Sequence, residues 1–226
     1  MRAATASGSR CCAGVRWAWA EMSDGPYLCL DAATVFPQMG VLEGGRWLYF
    51  ERFSQARAEA LWEPIRDCFP RFPWAGFLYN SGPGGTLGLH SVLMMIRVWK
   101  TLPAHRSVPV GHYNGFQIAS RLEPKCPLLV QLRRGELWGA KGGEVLKLPP
   151  EEKLPPEAKR FPTQSLAPSA LMAHEALDYD LRPAAALLAS SVRWDDAWAG
   201  IASSVPNFVP WDGRRHGGDP FPADER

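Results

Sequence analysis

The segment Ser81-Gly-Pro-Gly-Gly-Thr-Leu-Gly-Leu-His90 gathers Gly82, Gly84, Gly85 and Gly88, with Pro83 and Thr86 among them. In regular structure each glycine costs roughly 0.5–1 kcal/mol against alanine, so the turn must need them. One need is chemical: a glycine-rich turn from strand to helix can present backbone N–H groups to an anion such as a phosphate. The other is steric: helix and strand meet there too closely for a side chain. The segment is not a Walker-type phosphate loop, because no Gly-Lys-Ser/Thr follows, and it is not G-x-G-x-x-G.

Asp31 is the second candidate. It ends the apolar run Tyr27–Ala32, and Thr34 follows three residues later. In phosphotransferases of the actin and sugar-kinase class, an acidic residue here holds metal and phosphates. That class also places glycine and a hydroxyl residue close behind, where this chain has Ala32 and Ala33. The sequence therefore favours a strand-end carboxylate hydrogen-bonded to its own turn.

The remaining reactive types form no pattern. His90, His105, His112, His174 and His216 lack the short spacing of a helical metal pair. Cys11, Cys12, Cys29, Cys68 and Cys126 make neither a C-x-x-C pair nor an even disulfide framework. No serine lies in G-x-S-x-G, and Glu151-Glu152 falls in a proline-rich, solvated stretch. No catalytic residue, metal site or cofactor is expected.

Bulk properties agree with an ordinary globular chain. Of 226 residues, 46% are hydrophobic and 21% charged, and the formal net charge of +2 gives no general pull toward nucleic acid. No apolar run is long enough to span a membrane, and the irregular cysteines suit a reducing, cytoplasmic setting.

The elements that must position these residues follow from periodicity. Tyr27–Ala32 reads as a buried strand, Gln38–Leu42 as a second and Arg46–Arg52 as a third. Glu43-Gly44-Gly45 is the hairpin between the last two. Ser54 stands where a helix N-cap would, ahead of Ala58, Leu61, Trp62 and Ile65 at helical spacing. Pro64 should kink or end that helix. Trp74–Tyr79 is a strand, Leu89–Trp99 a helix, Val108–Gly111 a strand and Asn114–Arg121 a short helix. Three meandering strands followed by α/β alternation are the signature of a ribonuclease-H-like domain.

Further on, Pro127–Gln131, Glu136–Ala140 and Glu144–Leu148 suggest a second meander, with Arg133-Arg134-Gly135 as a turn. The stretch 149–167 reads as a proline-rich loop and Ala184–Val192 as a helix. The expected layout is an N-terminal extension 1–21, a first lobe 22–123, a smaller second lobe 124–210 and a loose tail 211–226. The extension carries Arg2, Arg10 and Arg16 and no acid before Glu21, a bias shared by organellar transit peptides. Met22 is an alternative natural start.

Several of these segments resemble the TsaB family in order. Leu28-Cys-Leu-Asp-Ala-Ala-Thr34 with its glycine hairpin is similar to the family's first strand, Asp-Thr-Ser/Ala and hairpin. Gly82, Pro83, Gly84, Gly88 and Leu89 keep the diagnostic Gly-Pro-Gly-Ser-Phe-Thr-Gly-Leu-Arg turn, with Leu87 and His90 departing from it. Val108-Pro-Val-Gly111 is close to the Pro-Val-x-Gly-Val strand. Gln131-Leu-Arg-Arg-Gly-Glu-Leu-Trp138 resembles the later Asp-Ala-Arg-Arg-Gly-Glu-Val-Tyr segment, with Gln131 in place of the aspartate.

The resemblance implies an α/β, actin-like fold of two ribonuclease-H-like lobes, the second shortened. It implies a non-catalytic protein that has lost the ATP and metal site of its relative TsaD. Such a protein supports TsaD in making threonylcarbamoyladenosine in tRNA, packs first-lobe helices against it, and meets tRNA only through the complex. A similar surface can form a homodimer.

On the helix 89–99, Leu89, Val92, Leu93, Ile96 and Trp99 can face the sheet. His90, Met94, Arg97 and Thr101 then form a neighbouring stripe, which with the Leu61–Trp62 face is the expected partner contact. Two other readings remain open. One is a nucleotide-binding phosphotransferase or acyl transferase of the actin-like class. The other is a diverged protein that keeps only the fold.

Overall fold

The computed structural model describes residues 22, 24–54, 57–132, 136–149, 153–163 and 169–194. The extension 1–21, the Arg133–Gly135 turn, Glu151-Glu152 and the tail 211–226 lie outside the described residues. The architecture is mixed α/β with two sheets.

The first sheet grows from β1 (Tyr27–Asp31), which is buried along its whole length. Leu28 and Leu30 point into one core, and Tyr27 and Cys29 into another. That two-sided burial is why the segment reads as a continuous apolar run rather than an alternating one. β2 (Gln38–Glu43) and β3 (Arg46–Arg52) complete an antiparallel meander. Gly44 and Gly45 both take positive φ, 54° and 72°, in the two-residue turn between them. The hairpin forms at the expected place because glycine enters that turn without strain.

β4 (Gly76–Asn80) and β5 (Val110–Tyr113) add in parallel beyond β1. A two-residue strand, Arg193–Trp194, pairs antiparallel with β5 and closes that edge. Named β10 because four strands precede it in the second sheet, it gives the order β10-β5-β4-β1-β2-β3. The second sheet consists of β6 (Leu128–Gln131), β7 (Leu137–Lys141), β8 (Glu144–Leu148) and β9 (Lys159–Arg160), in the order β8-β7-β6-β9.

The helices differ in detail from expectation. Ser54 caps nothing. A 3-10 turn over Ala58–Leu61 begins after Arg57 and leads into α1 (Trp62–Cys68). Pro64 falls in the first turn of α1, where a missing N–H costs no hydrogen bond, so the proline shifts the helix start instead of breaking it. α2 runs Thr86–Thr101, beginning three residues before the expected Leu89. α3 (Gly115–Leu122) is capped by Asn114, whose Oδ1 accepts from Gln117 N at 2.9 Å.

The 149–167 segment is not loop throughout its described part, because β9 adds to β6 in parallel there. α4 spans Ser169–Met172. The expected Ala184–Val192 helix is a 3-10 turn at Arg182–Ala184 followed by α5 (Ala185–Ala189), and Arg193 already belongs to β10.

Two cores flank the first sheet. One lies under α1 and α2 and includes Leu28, Leu61, Phe77 and Ile96. The other holds Tyr27, Leu78 and Phe116 together with Leu128, Trp138, Phe161 and Tyr179. The second sheet therefore packs onto the first through α3 and a shared apolar core.

Candidate functional site

The glycine turn is filled by backbone. A Cβ on Gly84 would stand 2.0 Å from the Ala33 carbonyl oxygen, and one on Gly88 would stand 1.8 Å from that of Ala32. Gly85 N–H donates to the same Ala33 oxygen at 2.7 Å. The loop after β1 thus lies directly on the turn and on the first turn of α2. Of the two needs offered by the sequence, the steric one is met at Gly84 and Gly88. Gly82 adds a third reason, a φ of +124° that favours glycine.

A row of buried polar side chains crosses the sheet beside this turn. Gln38 is in register with Asp31 on β2 and β1, and Asn80 with Tyr113 on β4 and β5. Asn80 Nδ2 donates to Asp31 Oδ2 at 2.9 Å, joining the two pairs. Each of the four is at most 2% exposed.

Asn80 is the hub of the row. Its Oδ1 accepts from Gly82 N and from Gly115 N, both at 2.9 Å. One side chain therefore ties the end of β1, the glycine turn and the start of α3. Gln38 ties the first sheet to the second half of the chain. Its Nε2 donates to the Tyr179 carbonyl at 3.2 Å, and its Oε1 accepts from Leu181 N at 2.8 Å. Trp47 Nε1 reinforces that seam by donating to the Arg182 carbonyl at 3.0 Å.

Asp31 accepts from Ala33 N at 3.0 Å as well as from Asn80. Its turn bonds are those expected of a strand-end aspartate. Burial pushes its carboxyl up to about 6, against hydrogen bonds from Asn80, Ala33, Thr34 and the Tyr179 phenol that favour the charge. The Tyr179 hydroxyl is turned to this carboxyl without closing a well-formed bond, and the Tyr113 hydroxyl is likewise buried with no partner among the described residues. Burial, and then the Asp31 charge, pushes both phenols well up.

Thr34 is buried beside this row, and its Oγ1 donates to the Phe36 carbonyl at 3.1 Å. The structure therefore brings Asp31, Thr34, Gly82, Pro83, Gly84, Gly85, Thr86 and Gly88 into one place. The backbone N–H groups of Gly82 and Gly85 already have protein acceptors there. Sequence reasoning missed Gln38, Asn80, Tyr113 and Tyr179. A lone polar residue at the end of an apolar strand was the signal for Asn80.

The expected contact face is only partly exposed. Leu61 is completely buried under α1 and α2 and cannot touch a partner, whereas its neighbour Trp62 is 56% exposed. Neighbouring residues on a helix point roughly 100° apart, so the core can take Leu61 and leave Trp62 outside. On α2 the expected inward set holds: Leu89, Val92, Leu93 and Ile96 are buried, and Trp99 packs partly buried against that core. Met95 and Lys100 are buried too, with Lys100 Nζ donating to the Val108 carbonyl at 2.6 Å.

The outward apolar stripe is Leu87, Met94, Val98 and Leu102, each between 44% and 77% exposed. Met94 is the residue that this stripe shares with the expected one. His90 and Thr101 are exposed beside it, and the partly buried Arg97 rests its Nη1 3.6 Å from Met94 Sδ. Among the described residues no group of three or more His, Cys, Asp or Glu is placed to hold a metal. No described helix is long and apolar enough to cross a membrane.

No family model and no curated protein matches the chain. Solved structures similar to it include two from Pseudomonas aeruginosa. YeaZ from Pseudomonas aeruginosa is 18% identical, with 60% of this chain and 75% of that one covered and a TM-score of 0.44. The other is titled an uncharacterized protein with similarity to peptidase YEAZ from Pseudomonas aeruginosa. It is 19% identical, with 61% and 74% covered and a TM-score of 0.43.

Proposed function

We propose that this chain is a divergent TsaB-like partner subunit that supports a TsaD-type threonylcarbamoyl transferase in making threonylcarbamoyladenosine in tRNA. The carrying observation is the stripe Leu87, Met94, Val98 and Leu102 on α2. Large apolar side chains four and seven residues apart, along an exposed helix face and onto its C-cap Leu102, suit another helix. Trp62 extends the same kind of surface onto α1. The glycine-turn motif supports the family reading on the sequence side. The strand order β3-β2-β1-β4-β5, with β2 antiparallel to its neighbours, supports a ribonuclease-H-like first lobe over 22–123. Residues 124–210 are then the shortened second lobe of an actin-like pair.

A non-catalytic role suits the place where nucleotide chemistry would otherwise be expected. Asp31 is buried and bonded to protein. The Gly82 and Gly85 amides are engaged, and the Tyr179–Leu181 backbone is stapled over the row by Gln38. tRNA is met through the partner, the protein acts in the cytoplasm, and the α2 stripe can alternatively pair two copies of the chain.

The test is affinity capture from the source cell with mass spectrometry of the recovered proteins. A TsaD-like protein is expected with the wild type. With Met94→Glu/Val98→Glu its yield should fall at least about tenfold, since each charge enters an apolar contact. Recovery of the homodimer alone would leave the fold and remove the proposed role. Unchanged recovery with the double variant would move the contact away from α2.

A further inference from the structure

We propose that the outer edge of β3, unpaired among the described residues, and the groove beside it receive an extended partner segment of alternating basic and apolar residues. β3 ends the first sheet. Phe53 N–H turns inward to the Pro37 carbonyl at 2.9 Å. By antiparallel alternation the amides of Phe50 and Arg52 face away from β2. Neither makes a backbone hydrogen bond to a described residue on that side. Such an edge accepts another strand through main-chain bonds.

Along it runs a groove of about 970 Å³. Its floor includes Leu48 and Tyr49, which are 52% and 37% exposed. Its wall is the helical face carrying Glu59, Glu63 and Asp67. Glu59 and Glu63 are exposed, and their carboxylates form no ion pair with any described residue. Asp67 is held by Arg66 at 3.2 Å, and Glu51 takes the Tyr49 hydroxyl. Arg57 and Arg71 stand at the two ends, which leaves the middle of the wall acidic.

Spacing favours an extended occupant. Glu63 and Asp67, four residues apart on α1, are separated along its axis by about 6 Å. Side chains on one face of a strand repeat about every 6.8 Å. A strand laid on β3 can thus set lysine or arginine at every second position against Glu63 and Asp67, with Glu59 beyond them and the apolar residues on its other face. The acidic wall repels a nucleic-acid backbone, so the partner here is polypeptide. The groove is distinct from the α2 stripe, and this inference stands whether or not the proposed function does.

The test uses a fluorescent hexapeptide, Lys-Val-Lys-Val-Lys-Val, titrated with the full chain by anisotropy, beside a Glu-Val control of the same length. The lysine peptide is expected to bind, to weaken with salt, and to lose about tenfold in affinity for Glu59→Lys/Glu63→Lys. The milder Glu59→Gln/Glu63→Gln variant, which disturbs the helix start less, should lose a few-fold. No binding at millimolar protein overturns the proposal. So does equal binding of the acidic peptide, or an affinity indifferent to both variants.

Discussion

Gly88→Ala is expected to destabilise the protein by about 3 kcal/mol in urea unfolding, although the residue sits inside a helix. Helix propensity alone predicts the opposite sign, because alanine is favoured over glycine in a helix interior by roughly 1 kcal/mol. What reverses the sign is the Ala32 carbonyl oxygen, 1.8 Å from where the new methyl would stand. That atom is buried backbone one residue past β1, a strand held between β2 and β4, so it cannot swing aside as a side chain would. Relief requires α2 to lift off the sheet, opening its contacts through Leu89, Val92 and Ile96. Gly84→Ala meets the Ala33 oxygen at 2.0 Å, with no propensity gain to offset it. A Gly88→Ala protein as stable as wild type would mean that the close approach is absent and that the glycines are kept for another purpose.

The parts legible in the sequence are those with a periodic or steric signature. The β1–β3 meander announced itself by a buried apolar run and a Gly44-Gly45 turn that needs positive φ. The inward face of α2 followed from spacing, and the glycine turn from its composition. What escaped has no local signal. β9 and β10 are two residues each and exist because a neighbouring strand edge is available. The Leu61–Trp62 pair reads as one contact face, yet neighbours on a helix point roughly 100° apart, and the core takes Leu61 while Trp62 stays exposed. The polar row escaped because Gln38, Asp31, Asn80 and Tyr113 come from four strands. Each looks like an ordinary strand end, and only the register assembles them.

Asp31 makes that row sensitive to pH. Burial raises its carboxyl from the ordinary 3.8 to about 6, so the folded protein holds a proton there that the unfolded chain releases. Stability from this group is therefore full below about pH 4 and is lost as pH rises through 6. The span corresponds to roughly 3 kcal/mol. The neutral carboxyl has somewhere to place its proton, since the Tyr179 hydroxyl turned to it can accept as well as donate.

Asp31→Asn cannot titrate, and it cannot match the site either. Whichever way its amide turns, its NH2 group faces either Ala33 N–H or the Asn80 amide, both donors. The variant is expected to be less stable than wild type by about 1–3 kcal/mol at pH 4, where the native aspartate is protonated. The difference should narrow, and can change sign, by pH 7.5, where the native carboxylate carries a buried charge with no cation among its hydrogen-bond partners. Urea unfolding of both proteins across that range measures it. A gap that stays constant with pH would mean that the Asp31 carboxyl titrates alike in both states, and that its hydrogen bonds fully offset burial.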